Sequence, residues 1–328
     1  MALLSRFLPA FLLAALLVPF ESVHPQQPEL DALRTEIDSR VEAITGQVVD
    51  WRRDLHANPE LGNREFRTAG VIADHLRSLG MEVETEVAHT GVVGLLRGGL
   101  PGPVVALRAD MDALPVTELV DLPFASKVRT EYNGQEVGVM HACGHDNHMA
   151  VLMGVAEVLA GMQERLPGTV KFIFQPAEEG SPGGEEGGAA LMVKEGVLEN
   201  PAPDAIFGLH VMPVTTGLIG YRPAGAMASS QTLSIKVRGA QTHGAMPWGG
   251  VDPVVTSAQI VLALQTVISR QSDITQAPAV ITIASIHGGL RSNIIPDSVV
   301  MLGTVRTLDS DMQARIEERI RRTVAGIA

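Results

Sequence analysis

The stretch His141-Ala-Cys-Gly-His-Asp-Asn-His148 brings three imidazoles and the only cysteine of the chain into eight residues, and a helical apolar pattern runs on from His148 to Leu166. Thiolate and neutral imidazole hold borderline-soft divalent metals, and ligands gathered just ahead of a helix share one rigid base. The plain alternative, for this segment alone, is a polar helix start with solvated histidines. The segments on either side favour the metal.

Upstream, Leu30, Leu33, Ile37, Val41, Ile44, Val48 and Leu55 recur at helical spacing over 29–55 until Asn58-Pro59 breaks the pattern. A second helix is expected over 65–79 with Gly80 as its stop, followed by β-rich runs at 83–87, 92–96 and 104–107. Downstream, 170–174 reads as a buried strand, 189–195 as a helix and 205–209 as another strand. This alternation predicts an α/β fold with a mostly parallel central sheet. Past Pro213 the pattern becomes strand 232–237, helix 253–269, strands 280–286 and 299–305, and a helix from 309 to about 325, a separate α+β domain.

The polar chemistry falls at strand ends. Asp110 and Asp112 follow one expected strand, Glu178 and Glu179 follow a second, and His210 ends a third, which is the ligand edge of open α/β sheets. Gln175-Pro-Ala-Glu-Glu-Gly180 leads into the glycine-rich segment 181–188. Adjacent carboxylates there can divide labour, one binding metal and the other acting as general base; the alternative is a solvated acidic turn. A phosphate cradle is excluded, because the P-loop lysine is missing and the nearby glutamates repel an anion. Asp110 and Asp112 share one face of an extended segment, so both can point at the metal site, or one can orient a ligand histidine from behind. Taken singly, these aspartates read as a strand-end turn and His210 as a satisfied core residue. In the second domain, Thr242-His-Gly-Ala-Met-Pro247 and Gly288-Gly-Leu-Arg-Ser-Asn-Ile-Ile-Pro296 are rich in turn residues. Arg291 and Asn293 suit a substrate carboxylate, against a reading as ordinary turn chemistry. His56, His89 and His287 receive no catalytic role.

Composition sets the outer bounds. A chain of 328 residues with 45% apolar and 19% charged residues is long enough for two domains with real cores. A net charge of −12 and no Lys/Arg patch exclude a nucleic-acid partner. Phe7 to Phe20 is apolar apart from Pro9 and Pro19 and follows Met1 to Arg6, so residues 1–20 read as a secretory signal or an uncleaved anchor. Its roughly 14 helical residues cover about 21 Å, short of the roughly 30 Å of a bilayer core. The expected destination is the periplasm or the medium. One cysteine permits no internal disulfide, so Cys143 is a ligand or a nucleophile.

Together these segments resemble the metal-dependent aminoacylase/carboxypeptidase family, in its amidohydrolase branch of hippurate hydrolases, N-acyl-amino-acid deacylases and indoleacetyl-amino-acid hydrolases. The resemblance runs in order through Arg53-Asp-Leu-His-Ala-Asn-Pro-Glu-Leu61, Ala109-Asp-Met-Asp-Ala-Leu-Pro115, His141-Ala-Cys-Gly-His-Asp146, Gln175-Pro-Ala-Glu-Glu-Gly180, Gly208-Leu-His-Val211, His243-Gly-Ala-Met-Pro247 and Arg291-Ser-Asn-Ile-Ile-Pro296.

The resemblance implies a metallopeptidase-like catalytic domain over 28–221 and an inserted lid and dimerisation domain over 222–328. It implies one or two divalent ions, zinc, manganese or cobalt, on Cys143, His145, Glu179 and His210, with Cys143 bridging when two are bound. Glu178 becomes the general base and Asp112 the orienting aspartate, while Asp110 stands where other branches carry a ligand histidine and is not assigned as one. His243 becomes the lid residue that steadies the oxyanion in a partner subunit, and Arg291 and Asn293 hold the substrate carboxylate. The implied reaction is hydrolysis of N-acyl amino acids or short peptides. A cysteine hydrolase built on Cys143 is the mechanistic rival. The resemblance also implies a longer chain, with a further lid strand and a further histidine ligand beyond residue 328. On that expectation an inactive, dimer-forming or peptide-binding homologue is the alternative.

Overall fold

The structure, a computed structural model, describes residues 27–223 and 225–328, so the expected export segment over 1–20 lies outside the described residues. No described helix is long and apolar enough to cross a membrane. The chain divides into two compact units, one ending at Pro213 and one spanning Val214–Ala328; residues 214–221 group with the second.

The first unit opens with α1 (Gln27–Ala57) and α2 (Phe66–Ser78). Pro59 biases Asn58 away from helical backbone and ends α1. No side chain at the N-cap of α2 caps it, but the Glu60 carboxylate reaches in from the preceding loop to accept from the backbone N–H of Arg67 (3.1 Å) and of Thr68 (2.8 Å). Two otherwise unpaired donors of the first turn are thereby satisfied. The strands β1 (Glu82–Val87), β2 (Gly91–Arg97) and β3 (Leu100–Asp110) follow, then a hairpin of β4 (Arg129–Tyr132) and β5 (Gln135–Gly138). Next come α3 (His145–Ala160), β6 (Pro167–Gln175), α4 (Gly188–Lys194) and β7 (Ala205–Gly208). The central sheet has the order β1-β2-β6-β3-β7. β3 runs parallel to β6 and β7, whereas β2 pairs antiparallel with β1 and β6. The α/β class is the expected one, and parallel pairing is confined to the three strands whose carboxyl ends carry the polar residues.

Alternation along β6 sorts its side chains between two cores. Phe172 and Phe174 are fully buried with Leu55, Ile72, Leu76, Met149 and Met153 beneath the helices, and Ile173 packs on the other face with Met192 and Val197. Each such burial contributes on the order of 1.5–3 kcal/mol. Lys171 shares the Ile173 face, and its buried ammonium donates to the carbonyls of Val197 (2.8 Å), Glu199 (2.7 Å) and Pro201 (3.1 Å). Three acceptors match its three donors, so the charge is accommodated and the loop is held to the sheet.

The second unit contains β8 (Gln231–Arg238), β9 (Thr242–His243), α5 (Pro253–Gln271), β10 (Ala279–His287), β11 (Ile294–Ile295), β12 (Ser298–Thr307) and α6 (Ser310–Ile327). An antiparallel sheet of order β10-β12-β8 carries the two helices. Asp252 caps α5 through Val254 N (2.8 Å) and Asp309 caps α6 through Met312 N (2.6 Å). Ile260, Leu264 and Val267 on one helix and Met312, Ile316 and Ile320 on the other form apolar stripes buried against Val237, Val299 and Met301.

Candidate metal centre

The carboxyl ends of β3, β6 and β7 and the N-terminus of α3 meet at one place in the first unit. Ligand atoms of Cys143, His145 and His210 lie within 4.8 Å of one another, as do those of His145, Glu178 and Glu179, and those of Asp110, His145 and His148. His145 belongs to all three groups. The helix begins at His145 rather than at His148, because Gly144 takes a left-handed backbone (φ 87°) that turns the chain into α3 without a side-chain cap. Cys143 is therefore on the entry turn and His145 on the first helical turn.

His145 is fully buried, yet neither ring nitrogen has a hydrogen-bond partner. Its Nδ1 lies 3.3 Å from Asp112 Oδ1, and its Nε2 faces Asp110 Oδ2 at 3.7 Å, Glu178 Oε2 at 3.8 Å and Glu179 Oε1 at 4.0 Å. Burial disfavours charge on this ring, but Asp112, Asp110 and Glu178 outweigh it and raise the pKa. A ring nitrogen surrounded by acceptors beyond hydrogen-bond reach is a place for a cation. Asp112 also accepts from the backbone N–H of Glu179 through Oδ2 (2.9 Å), so one buried carboxylate positions both His145 and the Glu178-Glu179 pair.

His210 Nδ1 is 2.7 Å from the Val211 carbonyl and must donate to it, which leaves the Nε2 lone pair directed at Cys143 Sγ, 3.5 Å away. His148 differs. Its Nε2 accepts from Val211 N (2.9 Å), so its Nδ1 donates to Asp110 Oδ1 (2.5 Å). Both nitrogens are occupied, and Asp110 is held again by Arg108 (2.7 Å). Burial alone would raise the Asp110 pKa; the His148 and Arg108 contacts prevail and hold it at about 2. Asp110 and His148 thus buttress the strand end that presents His210.

Burial, the hydrogen bond to Glu179 and the surrounding carboxylates push the Cys143 thiol up to about 12. Burial and the charge of Glu179 raise Glu178. Neither group suits its charged form until a cation is present. A thiol, two imidazoles and a carboxylate converging around an unpartnered imidazole nitrogen fit a divalent metal of the borderline-soft class.

Two buried groups, Glu65 and the network around His56, escape the sequence reading. Glu65, fully buried, accepts from Ala177 N (2.9 Å) and from the Thr90 hydroxyl (2.5 Å). Ala177 holds a left-handed backbone (φ 47°), a costly conformation for a residue with a Cβ, immediately before Glu178. Gly62 lies under the same loop, where a Cβ would stand 2.7 Å from Gly180 O. His56, assigned no catalytic role from sequence, joins Asp146 (2.9 Å) to Glu118 (3.1 Å), and Arg52 adds a second cation to Asp146 (2.8 Å). This network fixes the first turn of α3 from behind. His141 is buried with neither nitrogen partnered, and burial lowers its pKa to about 4, so it is neutral.

Glu65 gives a testable linkage. Burial raises its pKa from 4.5 to about 7 against the pull of its two hydrogen bonds. The folded state then binds the proton more tightly than the unfolded state, so the Glu65 contribution to stability is greatest below pH 4.5 and is lost as pH rises through 7. The loss approaches roughly 3 kcal/mol, at about 1.4 kcal/mol per pH unit. Glu65→Gln keeps both contacts and should abolish that component. Urea unfolding of both proteins from pH 5 to 8 reads the difference, and parallel pH profiles would refute it.

His243, Arg291 and Asn293 all lie in the second unit. His243 in β9 pairs with Ile294 in β11, and Gly244 N donates to Asn293 O (2.8 Å). His243 is in the two-stranded ribbon of β9 and β11, and Arg291 and Asn293 lie in the exposed turn that leads into β11.

The model of peptidase family M20/M25/M40 matches residues 106–324. Thermostable carboxypeptidase 2 of Saccharolobus solfataricus is 42% identical over 294 residues, 89% of this chain and 71% of that protein. The hippurate hydrolase of Campylobacter jejuni is 40% identical over 286 residues, 87% of this chain and 70% of its own. A Bacillus subtilis crystal structure, described as a dinuclear metal binding peptidase from the M20 family, superposes with a TM-score of 0.70 at 37% identity, covering 87% of this chain and 70% of that one. The sheet edge that gathers Cys143, His145, Glu178, Glu179 and His210 is therefore that of a hydrolase, and the chain belongs to peptidase family M20/M25/M40.

Proposed function

We propose that the chain hydrolyses the amide bond joining an acyl group to an amino acid, or the terminal bond of a short peptide. The observation that carries this reading is the buried, unpartnered Nε2 of His145 facing the carboxylates of Glu178 and Glu179. The relatives' names, a carboxypeptidase and a hippurate hydrolase, supply the bond type. Cys143, His145, Glu179 and His210 would hold one or two zinc, manganese or cobalt ions, which when bound polarise a carbonyl and lower the pKa of water.

The chain's own groups do the rest. Asp112 holds His145 and the backbone of Glu179 in register. Glu178, its proton affinity raised by burial and by Glu179, takes the proton of the attacking water and passes it to the leaving amine. His243 is assigned to the tetrahedral oxyanion, contributed by the second subunit of a homodimer formed through the lid, and Arg291 and Asn293 to the substrate carboxylate. The apolar segment over 1–20 is assigned to export.

The test is direct. Purified protein should release free amino acid from N-benzoyl or N-acetyl amino acids, lose that activity with a chelator and regain it with Zn²⁺, Mn²⁺ or Co²⁺. Full turnover after metal stripping overturns the reading.

A further inference from the structure

A cavity of about 610 Å³ opens in the first unit with Glu179 and Gly180 on its wall. We propose that it receives the acyl half of the substrate and selects bulky, uncharged acyl groups over acetyl and over acyl groups that carry a carboxylate; this rests on the amidohydrolase reading above.

The lining supports the assignment. Leu61, Phe66, Leu114, Val128, Tyr132 and Pro182 present carbon surface to the cavity. Its volume lies in the range of small-molecule sites and far exceeds the need of an acetyl group. Two arginines also line it, and each is paired with a glutamate. Arg64 grips Glu185 with both terminal nitrogens (2.6 and 3.1 Å) and donates to Asn63 O (2.8 Å), and Arg129 Nε is 2.6 Å from Glu136. Glu60, also on the wall, is occupied by the α2 N-terminus. Glu131 adds a further acid to the wall, away from the proposed metal ligands. An amino-acid moiety always carries a carboxylate beside its side chain, whereas the acyl half need carry no charge. The cavity therefore fits the acyl half, and a second carboxylate on it would meet the acids Glu60 and Glu131 on a wall whose arginines are each paired with a glutamate.

Shape selection in apolar pockets yields about 10- to 200-fold per methylene at most. The intact protein, loaded with Mn²⁺, should hydrolyse N-benzoyl amino acids with a kcat/KM at least about tenfold above the N-acetyl counterparts, and N-succinyl compounds more slowly than either. Thr130 is exposed on β4 and lines the cavity, so Thr130→Trp fills it without entering the core. That variant should lower the benzoyl-to-acetyl ratio about tenfold or more. Phe66→Ala, at an exposed position, is the second variant should the first fail to fold, and should lower the same ratio by about threefold or more. An unchanged ratio in a folded variant, or a shift in preference among amino-acid side chains instead of acyl groups, overturns the pocket assignment. No hydrolysis of any N-acyl amino acid overturns the amidohydrolase reading itself, so the two failures are distinct.

Discussion

Glu178→Gln lowers kcat on an N-acyl amino acid by about 10²- to 10⁴-fold while the protein keeps its metal, and Glu179→Gln loses metal as well as activity. The two residues are neighbours in sequence, and their Oε atoms stand at nearly equal distances from His145 Nε2, 3.8 and 4.0 Å, so proximity does not separate them. Their tethers do. The Glu179 backbone is fixed by Asp112, and of the two side chains the Glu179 carboxylate has the larger effect in raising the Cys143 thiol pKa, which sets it beside the proposed ligands. The Glu178 side chain is more open, 39% exposed against 25%, so a water molecule can reach it. Burial and the charge of Glu179 raise its pKa and so its affinity for a proton. Glutamine preserves the shape of either residue, so elemental analysis for metal and steady-state turnover on the same preparations separate the roles. Equal metal loss in both variants means the pair has been assigned the wrong way round.

Much of this site is legible in the sequence because its chemistry clusters locally. Cysteine and histidine two residues apart, paired glutamates after an apolar run and a histidine closing a strand are patterns of residue type and period. What escapes is pairing across distance. Glu65 binds Ala177 across 112 residues and His56 binds Asp146 across 90, and no local period announces either. His148 belongs to the clustered imidazoles that suggest a metal, and only its traced hydrogen bonds, from Val211 N and to Asp110, show both ring nitrogens in use. The β4–β5 hairpin was missed for another reason. Asn133-Gly134, both left-handed in the structure, is a strong two-residue turn signal, but polar strands such as Arg129-Thr-Glu-Tyr132 show no apolar alternation to draw attention to it. The helix starts at His145, ahead of the apolar pattern from His148, because Gly144, not a capping side chain, starts it.

Affinity for the ion that binds Cys143 rises about tenfold for each pH unit between pH 6 and 8, close to 100-fold in all, because its binding displaces the thiol proton. Metals bind the thiolate, yet burial, Glu179 and the neighbouring carboxylates hold the thiol near 12 in the metal-free protein. At neutral pH the proton is therefore always present beforehand, and a fall in pH adds a competitor for the same sulfur. Burial disfavours charge on His145, but Asp112, Asp110 and Glu178 raise its pKa, so a proton on this ring also competes with metal. The same thiol makes a poor nucleophile: at pH 8 only about one in 10⁴ is ionised, which counts against a cysteine hydrolase. Competition titration with a metallochromic chelator at half-unit steps gives the slope for the native protein and for Cys143→Ala. The variant should bind more weakly and with a flatter pH profile; an unaltered slope would remove Cys143 from the ligand set.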